Sequence, residues 1–313
     1  MAILVTGGAG FIGSHVVDAL ARRDEDVVVV DNLTTGKRRN VHPRAVFYEL
    51  DITAPELRSV FDRHAISAVI HHAAQVDVTA SFSDPARDAL VNVVGTVSLL
   101  ECCRHAGVGT LVYAASGGAG PGIPRSLPVD ESHPQSPISP YGISKHTVEH
   151  YLSLYGDRYG LDWVSLRYAN VYGPKQDPFG EGGVVAIFAH RFLTGEPPTI
   201  FGDGSQTRDF VYVGDVASAN LAALERGGRL AVNVGTGQET SVSELADMLR
   251  GITGSSARPL HAPPRPGDIH RSVLDSRLAQ AHLHWEPRVS LAEGLRLIVD
   301  FFRREGRRGC ESC

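Results

Sequence analysis

Three glycines near the start of the chain restrict its fold more than any other feature. Gly7, Gly10 and Gly13 follow a short apolar run, Ala2–Thr6, and precede an amphipathic stretch, Ser14–Arg22. This spacing lets the backbone turn tightly between a strand and a helix. It also lets a pyrophosphate approach the helix N-terminus, where free N–H groups and the helix dipole favour negative charge. Because plain strand–helix turns also contain such glycines, the surrounding residues decide the interpretation.

An acidic residue stands where a dinucleotide-binding turn requires one. Asp31 directly follows the second apolar run, Val27–Val30, and lies 24 residues after Gly7. A carboxylate at this position binds the 2′-hydroxyl of the adenosine ribose. Because it would repel a 2′-phosphate, the sequence predicts NAD rather than NADP as the cofactor.

Apolar strands and amphipathic helices alternate through the first half of the chain. Four consecutive valines at 27–30 are typical of a strand that is buried on both faces of a parallel sheet. The predicted strands are Ala2–Thr6, Val27–Val30, Ala45–Glu49, Ala68–His71, Thr110–Ala114 and Trp163–Arg167. The predicted helices are Ser14–Arg22, Pro55–His64, Asp88–Ala106 and Tyr141–Tyr159. The alternation predicts an α/β fold with a doubly wound parallel sheet of the Rossmann type.

The pattern changes near residue 170, where prolines and glycines become frequent and helices become shorter. We expect a first domain, 1–170, that binds NAD, and a smaller C-terminal α/β lobe, 171–313, that binds the substrate. Part of about 211–240 is expected to pack back on the first domain. The last predicted helix is Leu291–Arg304.

Composition and charge argue against several classes of function. The chain has 313 residues, 42% of them hydrophobic, and a net charge of −5, which suits a globular core and not a nucleic-acid-binding surface. No secretory signal or membrane span is expected, so the predicted location is cytoplasmic. No metal site is predicted, because the pairs His146/His150 and Cys310/Cys313 have no further ligands close in sequence.

Tyr141 and Lys145 lie four residues apart at the start of a predicted helix, so they share one face. A tyrosine with its usual pKa of about 10 is a poor base, but a nearby ammonium and a positively charged nicotinamide are expected to favour the phenolate. Ser116 follows the strand Thr110–Ala114 and is expected at the edge of the sheet where ligands bind. We therefore predict that Tyr141 is the acid/base, supported by Lys145 and Ser116.

Motifs along nearly the whole chain resemble those of the extended short-chain dehydrogenase/reductases. They are Thr6–His15, Asp31–Leu33, Asp51–Ile52, His72–Ala74, Asn92–Thr96, Ser139–Lys145, Arg167–Pro174 and Arg208–Phe210. Within that family, Gln176–Pro178 and Gly182–Phe188 most resemble the corresponding stretches of bacterial UDP-glucose 4-epimerases. The resemblance implies an NAD-dependent isomerase that acts on a UDP-sugar.

The resemblance also implies a mechanism and a set of binding residues. Tyr141 removes the proton of the sugar 4-hydroxyl, the C4 hydride passes to NAD⁺, the 4-keto sugar turns over, and the hydride returns to its other face. The implied cofactor-binding residues are Gly7, Gly10, Phe11, Ile12, Gly13, Asp31, Asn32, Asp51, Ile52, His72, Ala73, Ala74, Gln75, Asn92, Tyr141, Lys145 and Tyr168. The implied substrate-binding residues are Ser116, Tyr141, Asn170, Val184, Phe201, Arg208, Arg265 and Asp268.

Alternatives to UDP-glucose epimerisation stay open. Ser272 aligns with a position where a tyrosine in some relatives excludes N-acetyl groups, so UDP-N-acetylglucosamine and UDP-glucuronate are alternative substrates. A 4,6-dehydratase would need an acid pair after Ser116, where this chain has Gly117 and Gly118. A non-catalytic NAD-binding protein would be expected to lack the tyrosine or the lysine. The turn Gly120-Pro121-Gly122 departs from the family pattern of an aliphatic residue, Tyr and Gly, and leaves the sugar unspecified.

Asp88–Ala106 and Tyr141–Tyr159 have more apolar positions than packing on one sheet face requires. Members of the resembled family pair these helices across a two-fold axis. We therefore expect a homodimer through the helices around 88–106 and 141–159.

Overall fold

The computed structural model of the protein describes residues 1–179, 183–265 and 269–311, with side chains up to Gly306. The strands are β1 (Ala2–Thr6), β2 (Val27–Asp31), β3 (Val46–Glu49), β4 (Ile66–His71), β5 (Thr110–Ser116), β6 (Asp162–Tyr168), β7 (Asn170–Tyr172), β8 (Thr199–Phe201), β9 (Thr207–Arg208), β10 (Phe210–Tyr212), β11 (Leu230–Val234), β12 (Thr240–Ser241), β13 (Leu260–Ala262) and β14 (Arg271–Ser272). The helices are α1 (Phe11–Ala21), α2 (Leu57–Arg63), α3 (Val78–Ser83), α4 (Pro85–Ala89), α5 (Thr96–Ala106), α6 (Pro140–Tyr159), α7 (Val184–Thr194), α8 (Val213–Arg226), α9 (Val242–Thr253), α10 (Arg277–Leu283) and α11 (Leu291–Glu311). None of these helices is long and apolar enough to cross a membrane.

Seven strands form the central sheet, in the order β3-β2-β1-β4-β5-β6-β11, and all neighbouring pairs are parallel. Alternate residues of each strand point to opposite faces. On one face, Val5 and Val29 pack in a core that includes residues of α1 and α8. On the other face, Leu4 and Val28 pack with residues of α2, α5 and α6. The doubly wound parallel sheet predicted from the sequence is therefore confirmed.

The prediction of a single helix over Asp88–Ala106 is wrong in detail. The helix begins earlier, at Pro85, because the Asp84 side chain accepts a hydrogen bond from the backbone N–H of Arg87 and caps it. Its middle, Leu90–Gly95, is a π-helix between α4 and α5. The wider turn contains Asn92, whose side chain is buried and bonded to the loop after β4.

The strand that precedes Ser116 is longer than predicted. It runs to Ser116 itself, which pairs with Tyr168 at the end of β6, so Ser116 is the last residue of β5 instead of following the strand. Its parallel neighbour β6 extends far enough to pair with these extra residues, whereas the pairing with β4 ends at Tyr113.

The second half of the chain builds a smaller lobe and also completes the central sheet. In the lobe, α7, α9 and α11 pack around a core that includes Phe188, Leu245 and Leu295. The strand pairings described outside the central sheet are β7–β10, β8–β13 and β12-β9-β14. In contrast, β11 pairs with β6 in the central sheet, and α8 packs against α1.

The carboxylate of Asp209, which lies between β9 and β10, connects the lobe to the central sheet. It is buried and accepts hydrogen bonds from the backbone N–H groups of Thr236 (2.9 Å), Gly237 (3.1 Å) and Leu274 (3.3 Å). Thr236 and Gly237 follow β11 of the central sheet. These bonds therefore hold the segment between β9 and β10 against the carboxyl edge of that sheet.

Candidate active site

The loop between β1 and α1 forms an open cradle at the carboxyl edge of the sheet. Gly7 has a φ of +69°, and a Cβ atom there would lie 2.6 Å from the backbone nitrogen of Ala73. A Cβ atom on Gly13 would collide with the carbonyl oxygen of Gly7. No side chain caps the N-terminus of α1, which begins at Phe11 after Gly10. The exposed N–H groups at this terminus fit a pyrophosphate.

Asp31 lies at the end of β2, beside this loop, and is buried. Its carboxylate accepts hydrogen bonds from the backbone N–H groups of Ala9 (2.9 Å) and Leu33 (2.8 Å). Asp31 therefore joins the glycine loop to the end of the next strand, in the place expected for a ribose-binding acid.

A second acid, Asp51, lies next to this position. It accepts hydrogen bonds from Asn32 Nδ2 (2.7 Å) and from the hydroxyl (2.6 Å) and backbone N–H (2.8 Å) of Thr53. Burial raises the pKa of Asp51, but the bonds from Thr53 and Asn32 outweigh that effect and lower it overall. The next residue, Ile52, is buried in the core. Asn32, Asp51 and Ile52 thus form one wall beside Asp31.

The residues after β4 line the opposite side of the glycine loop. His72 stacks on Tyr168, with 6.1 Å between ring centroids, and its Nε2 lies 3.2 Å from the Tyr168 hydroxyl. Burial, with a contribution from Lys145, lowers the pKa of His72 to about 3, so the ring is neutral. Its Nδ1 is a buried atom without a hydrogen-bond partner in the protein. A bound cofactor would supply a partner for such an atom.

The loop Ala73–Gln75 is held by the π-helical segment. Asn92 accepts a hydrogen bond from the backbone N–H of Gln75 (2.8 Å) and donates one to its carbonyl (2.9 Å). These two bonds place Ala73 and Ala74 next to the glycine loop. The structure therefore brings the glycine loop, the end of β2 and the loop after β4, which contain most of the predicted cofactor-binding residues, to one edge of the sheet.

Tyr141 occupies the first turn of α6 because Ser139 caps this helix. The Ser139 hydroxyl accepts a hydrogen bond from the backbone N–H of Gly142 (3.1 Å), and Pro140 suits the first helical position. The Ser116 hydroxyl lies close enough to the Tyr141 phenol to act on its pKa. Burial and the Asp88 carboxylate raise the pKa of Tyr141 to about 12, although Ser116 opposes them. The protein alone therefore does not lower this pKa as the sequence led us to expect, because desolvation of the phenolate outweighs the effect of Ser116.

Lys145 lies one turn further along α6 and is almost completely buried. Its ammonium donates a hydrogen bond to the carbonyl of Ala114 (2.9 Å) and lies 4.9 Å from the ring centroid of Tyr113 and 5.9 Å from that of Tyr141. Burial lowers its pKa from the usual 10.5 to about 8, partly offset by Asp88.

Sequence reasoning missed Asp88, which the structure places in this site. Its carboxylate is buried and accepts hydrogen bonds from Ser144 Oγ (2.6 Å), Gln75 Nε2 (3.0 Å) and Asn92 Nδ2 (3.1 Å). The spacing of Asp88 and Asn92, four residues apart on one helical face, is the sequence signal for this pair.

The predicted substrate-binding residues of the lobe fall into separate groups. Arg208 pairs with Ser272 in parallel strands, and Ser272 Oγ lies 3.7 Å from where a Cβ of Gly118 would be, so both lie near the loop after Ser116. The Arg265 guanidinium lies 4.2 Å from the ring centroid of Phe201.

The remaining three substrate-binding residues are less closely connected. Asn170 is exposed at the start of β7, and its backbone N–H bonds to the Asp209 carbonyl. Val184 begins α7. Asp268 lies outside the described residues. The same holds for Cys313 and for the side chain of Cys310, the pair considered as a metal site.

The unusual turn Gly120-Pro121-Gly122 is buried under the segment that precedes α6. Gly122 has a φ of +67°, and a Cβ there would collide with the carbonyl oxygen of Ser136. The Ser136 N–H donates to the Gly120 carbonyl (2.9 Å). This close backbone approach explains the glycine at position 122, which the resembled family shares, and nothing in the structure explains the proline at position 121. Among the described residues, no group of three or more His, Cys, Asp or Glu could hold a metal ion.

Comparison with known proteins agrees with this geometry. The sequence model of the NAD dependent epimerase/dehydratase family matches residues 3–235. The UDP-glucose 4-epimerase of Mycolicibacterium smegmatis is 45% identical over 313 residues, covering 98% of this chain and all of that protein. The crystal structure of the UDP-glucose 4-epimerase of Thermotoga maritima with UDP-glucose has a TM-score of 0.96 and 49% identity, covering 97% of this chain and 99% of that one. That of the Thermus thermophilus enzyme with NAD has a TM-score of 0.91 and 48% identity, with the same coverage.

The lowered pKa of Lys145 predicts a pH-dependent stability. Between about pH 8 and 10.5, the unfolded chain holds a proton on Lys145 that the folded protein does not, so stability increases with pH. Relative to Lys145→Met, the cofactor-free wild-type protein should gain about 2 kcal/mol of unfolding free energy between roughly pH 7.5 and 9.5. Urea unfolding of both proteins measures this difference, in which the other titrating groups largely cancel. A difference that stays constant or falls with pH would contradict the assignment.

Proposed function

The chain belongs to the NAD dependent epimerase/dehydratase family, and from this premise we propose that it interconverts UDP-glucose and UDP-galactose by transient oxidation at the sugar C4. The observation that carries the proposal is that Tyr141 and Ser116 meet next to the buried ammonium of Lys145, 5.9 Å from the Tyr141 ring centroid, at the sheet edge that holds the uncapped α1 N-terminus. When bound, NAD⁺ supplies a reversible acceptor for the C4 hydride.

The residues of the chain would move one proton and hold the reacting atoms. Tyr141 removes the proton from the sugar 4-hydroxyl and later returns it, and Ser116 hydrogen-bonds the same sugar oxygen. With a pKa near 12, Tyr141 is protonated on its own, so a positive charge near its oxygen is needed to favour the phenolate. Lys145 uses one N–H on the Ala114 carbonyl and keeps two for the nicotinamide ribose.

The glycines after Ser116 disfavour a dehydratase. Gly117 and Gly118 offer no acid or base for chemistry at C5 and C6, and Leu274 fills the space into which a side chain at position 117 would extend. Both Tyr141 and Lys145 are present and close together, which disfavours a non-catalytic NAD-binding protein. Reversible oxidation at C4 is the chemistry that this residue set supports best.

We assign the nucleotide to the lobe, 171–313, and the cofactor to 1–170. Arg208 and Arg265 suit the diphosphate oxygens, and Phe201 suits stacking on uracil, while Asn170 and Val184 complete this group. Ser272 lies beside Gly118 and therefore close to the sugar side of the pocket. Because serine is small, we propose that N-acetylated sugars also fit, with UDP-N-acetylglucosamine as the second substrate.

We propose a homodimer in the cytoplasm. Along the π-helical segment and α6, large apolar side chains are half exposed: Leu90 (50%), Val94 (51%), Ile143 (53%) and Leu154 (55%). A groove of about 520 Å³ beside them is lined by residues that include Pro55, Val94, Val97, Cys102 and Tyr151. Such a continuous apolar surface is typical of an interface. The thiols of Cys102 and Cys103 are unpaired, which suits a reducing compartment.

Replacement of Tyr141 tests the proposed chemistry. Tyr141→Phe should lower turnover of UDP-glucose by about 10²–10⁴-fold, because the acid/base is lost, while bound NAD stays at the wild-type level. Coupled assay of UDP-galactose formation and quantification of NAD released on denaturation measure the two effects. Tyr159→Phe, at the exposed end of the same helix, is the matched control and should keep normal turnover. Near-normal activity of Tyr141→Phe would refute the assignment.

The sugar preference follows from the size of residue 272. Purified wild-type protein, incubated without added NAD, should epimerise both UDP-glucose and UDP-N-acetylglucosamine. Ser272→Tyr should lose about tenfold or more of its turnover of the N-acetyl sugar and keep the glucose reaction, because the ring fills the space of the N-acetyl group. Chromatography of the products shows which of these UDP-sugars are epimerised. UDP-glucuronate is assayed in the same way as a further substrate. Normal glucose turnover with none of the N-acetyl sugar by wild type would exclude the wider pocket.

The proposed dimer predicts the effect of a charge on the exposed helix face. Leu154→Glu should halve the particle mass in light scattering at micromolar concentration, because it places a carboxylate in the apolar interface. Leu260→Glu changes an equally exposed leucine on β13, away from this face, and should leave the mass unchanged. A wild-type monomer under the same conditions would contradict the dimer.

A further inference from the structure

Asp88 is a buried carboxylate that forms no direct ion pair within the described part of the chain. Only 1% of the residue is exposed. Its three hydrogen-bond partners, Ser144, Asn92 and Gln75, are neutral groups that donate to it. A carboxyl group that receives three donors is best satisfied as a carboxylate, which accepts only. A buried negative charge of this kind needs a compensating positive charge.

Lys145 carries a buried positive charge that likewise forms no ion pair among the described side chains. Its ammonium is buried, and its described hydrogen bond goes to a neutral carbonyl, that of Ala114. None of the ion pairs found among the described side chains includes Lys145 or Asp88. The two charged groups nevertheless interact: Ser144, which donates to Asp88, directly precedes Lys145 in α6, and the Asp88 carboxylate raises the pKa of Lys145 against the effect of burial.

We propose that Asp88 is a positioning residue of the active site, which balances the ammonium of Lys145 without binding it. A direct salt bridge would draw the ammonium toward Asp88 and occupy its N–H groups. Because the carboxylate is held by Ser144, Asn92 and Gln75 instead, it stabilises the charge of Lys145 while two N–H groups of the ammonium stay free to bind other partners. The same carboxylate opposes a phenolate on Tyr141, so the base forms only when a further positive charge arrives. The inference rests on the proposed function for its catalytic meaning.

The charged and titratable groups around this pair are few. On α6 they are Tyr141, His146 and Glu149, and Glu149 is paired with Arg167 of β6 and lies 3.4 Å from Nδ1 of His146. Tyr113 on β5 and the neutral His71 and His72 at the end of β4 complete the buried set. The remaining groups close to Asp88 in the chain are Asp77 and Asp84, which cap α3 and α4, and the exposed Arg87. Asp88 is thus the carboxylate that the described structure places next to Lys145 and Tyr141 without a cation of its own.

The first test is the pH profile of turnover by the NAD-loaded enzyme. In Asp88→Asn, loss of the negative charge lowers the pKa of both Tyr141 and Lys145, so both limbs of the profile should move to lower pH by about one unit. Asp84→Asn removes a carboxylate from the exposed cap of the same helix and should leave both limbs in place. A turnover that falls equally at every pH, with unmoved limbs, would show that Asp88 only supports the fold and would overturn the proposal.

The second test does not depend on activity. The melting temperature should fall by about 5 °C when Asp88→Asn is introduced into wild type, because Lys145 is left unbalanced, and by less than half as much in the Lys145→Met background. If Asp88→Asn fails to fold alone but folds with Lys145→Met, the coupling is likewise supported. Equal losses in both backgrounds, or failure to fold in both, would overturn it. A wild-type protein without epimerase activity would refute the proposed function and leave this coupling measurable.

Discussion

The backbone of Gly7 lies directly against the backbone of residues 72 and 73, and the rest of the site depends on this approach. It brings the turn after β1 next to the end of β4 at a distance that no side chain permits. The same turn directs the uncapped N-terminus of α1 toward the space where the predicted cofactor residues meet. Asp31 then fixes the loop from the other side through the N–H of Ala9. The predicted pyrophosphate site therefore depends on the approach of Gly7 to residues 72 and 73, and the predicted ribose site depends on the bond between Asp31 and Ala9.

Burial shifts the pKa values of Tyr141 and Lys145 more than interactions with other charged groups do. Lys145 loses proton affinity and Tyr141 gains it, because both charged forms are poorly solvated between β5 and α6. In the proposed mechanism, Tyr141 is consequently protonated in the protein alone, and the positive charge of bound NAD⁺ would favour its phenolate. An acid/base that works only when the cofactor is bound would avoid proton transfer without a hydride acceptor.

Much of the fold and the site could be predicted from local pattern. The valines of β2 indicate burial on both faces, and they predicted the parallel sheet. The glycine spacing indicates the turn geometry, and it predicted the dinucleotide cofactor. Spacing along a helix correctly placed Tyr141 and Lys145 on one face, but it contains no information on desolvation, so the direction of the Tyr141 pKa was missed. The π-helical segment and the role of Asp88 depend on contacts between residues far apart in sequence. The glycines of the buried turn at 120–122 are likewise explained only by Gln135 and Ser136, which pack against them.

The position of β11 has a consequence for how the protein is made. This strand comes from residues 230–234, after the first part of the lobe, yet it pairs with β6 and forms that edge of the central sheet. During synthesis the first six strands leave the ribosome with that edge of β6 unpaired until more than sixty further residues have emerged. An unpaired edge is a site for aggregation. The nascent chain is therefore most vulnerable in that interval, and truncation before residue 230 would leave this vulnerability permanent.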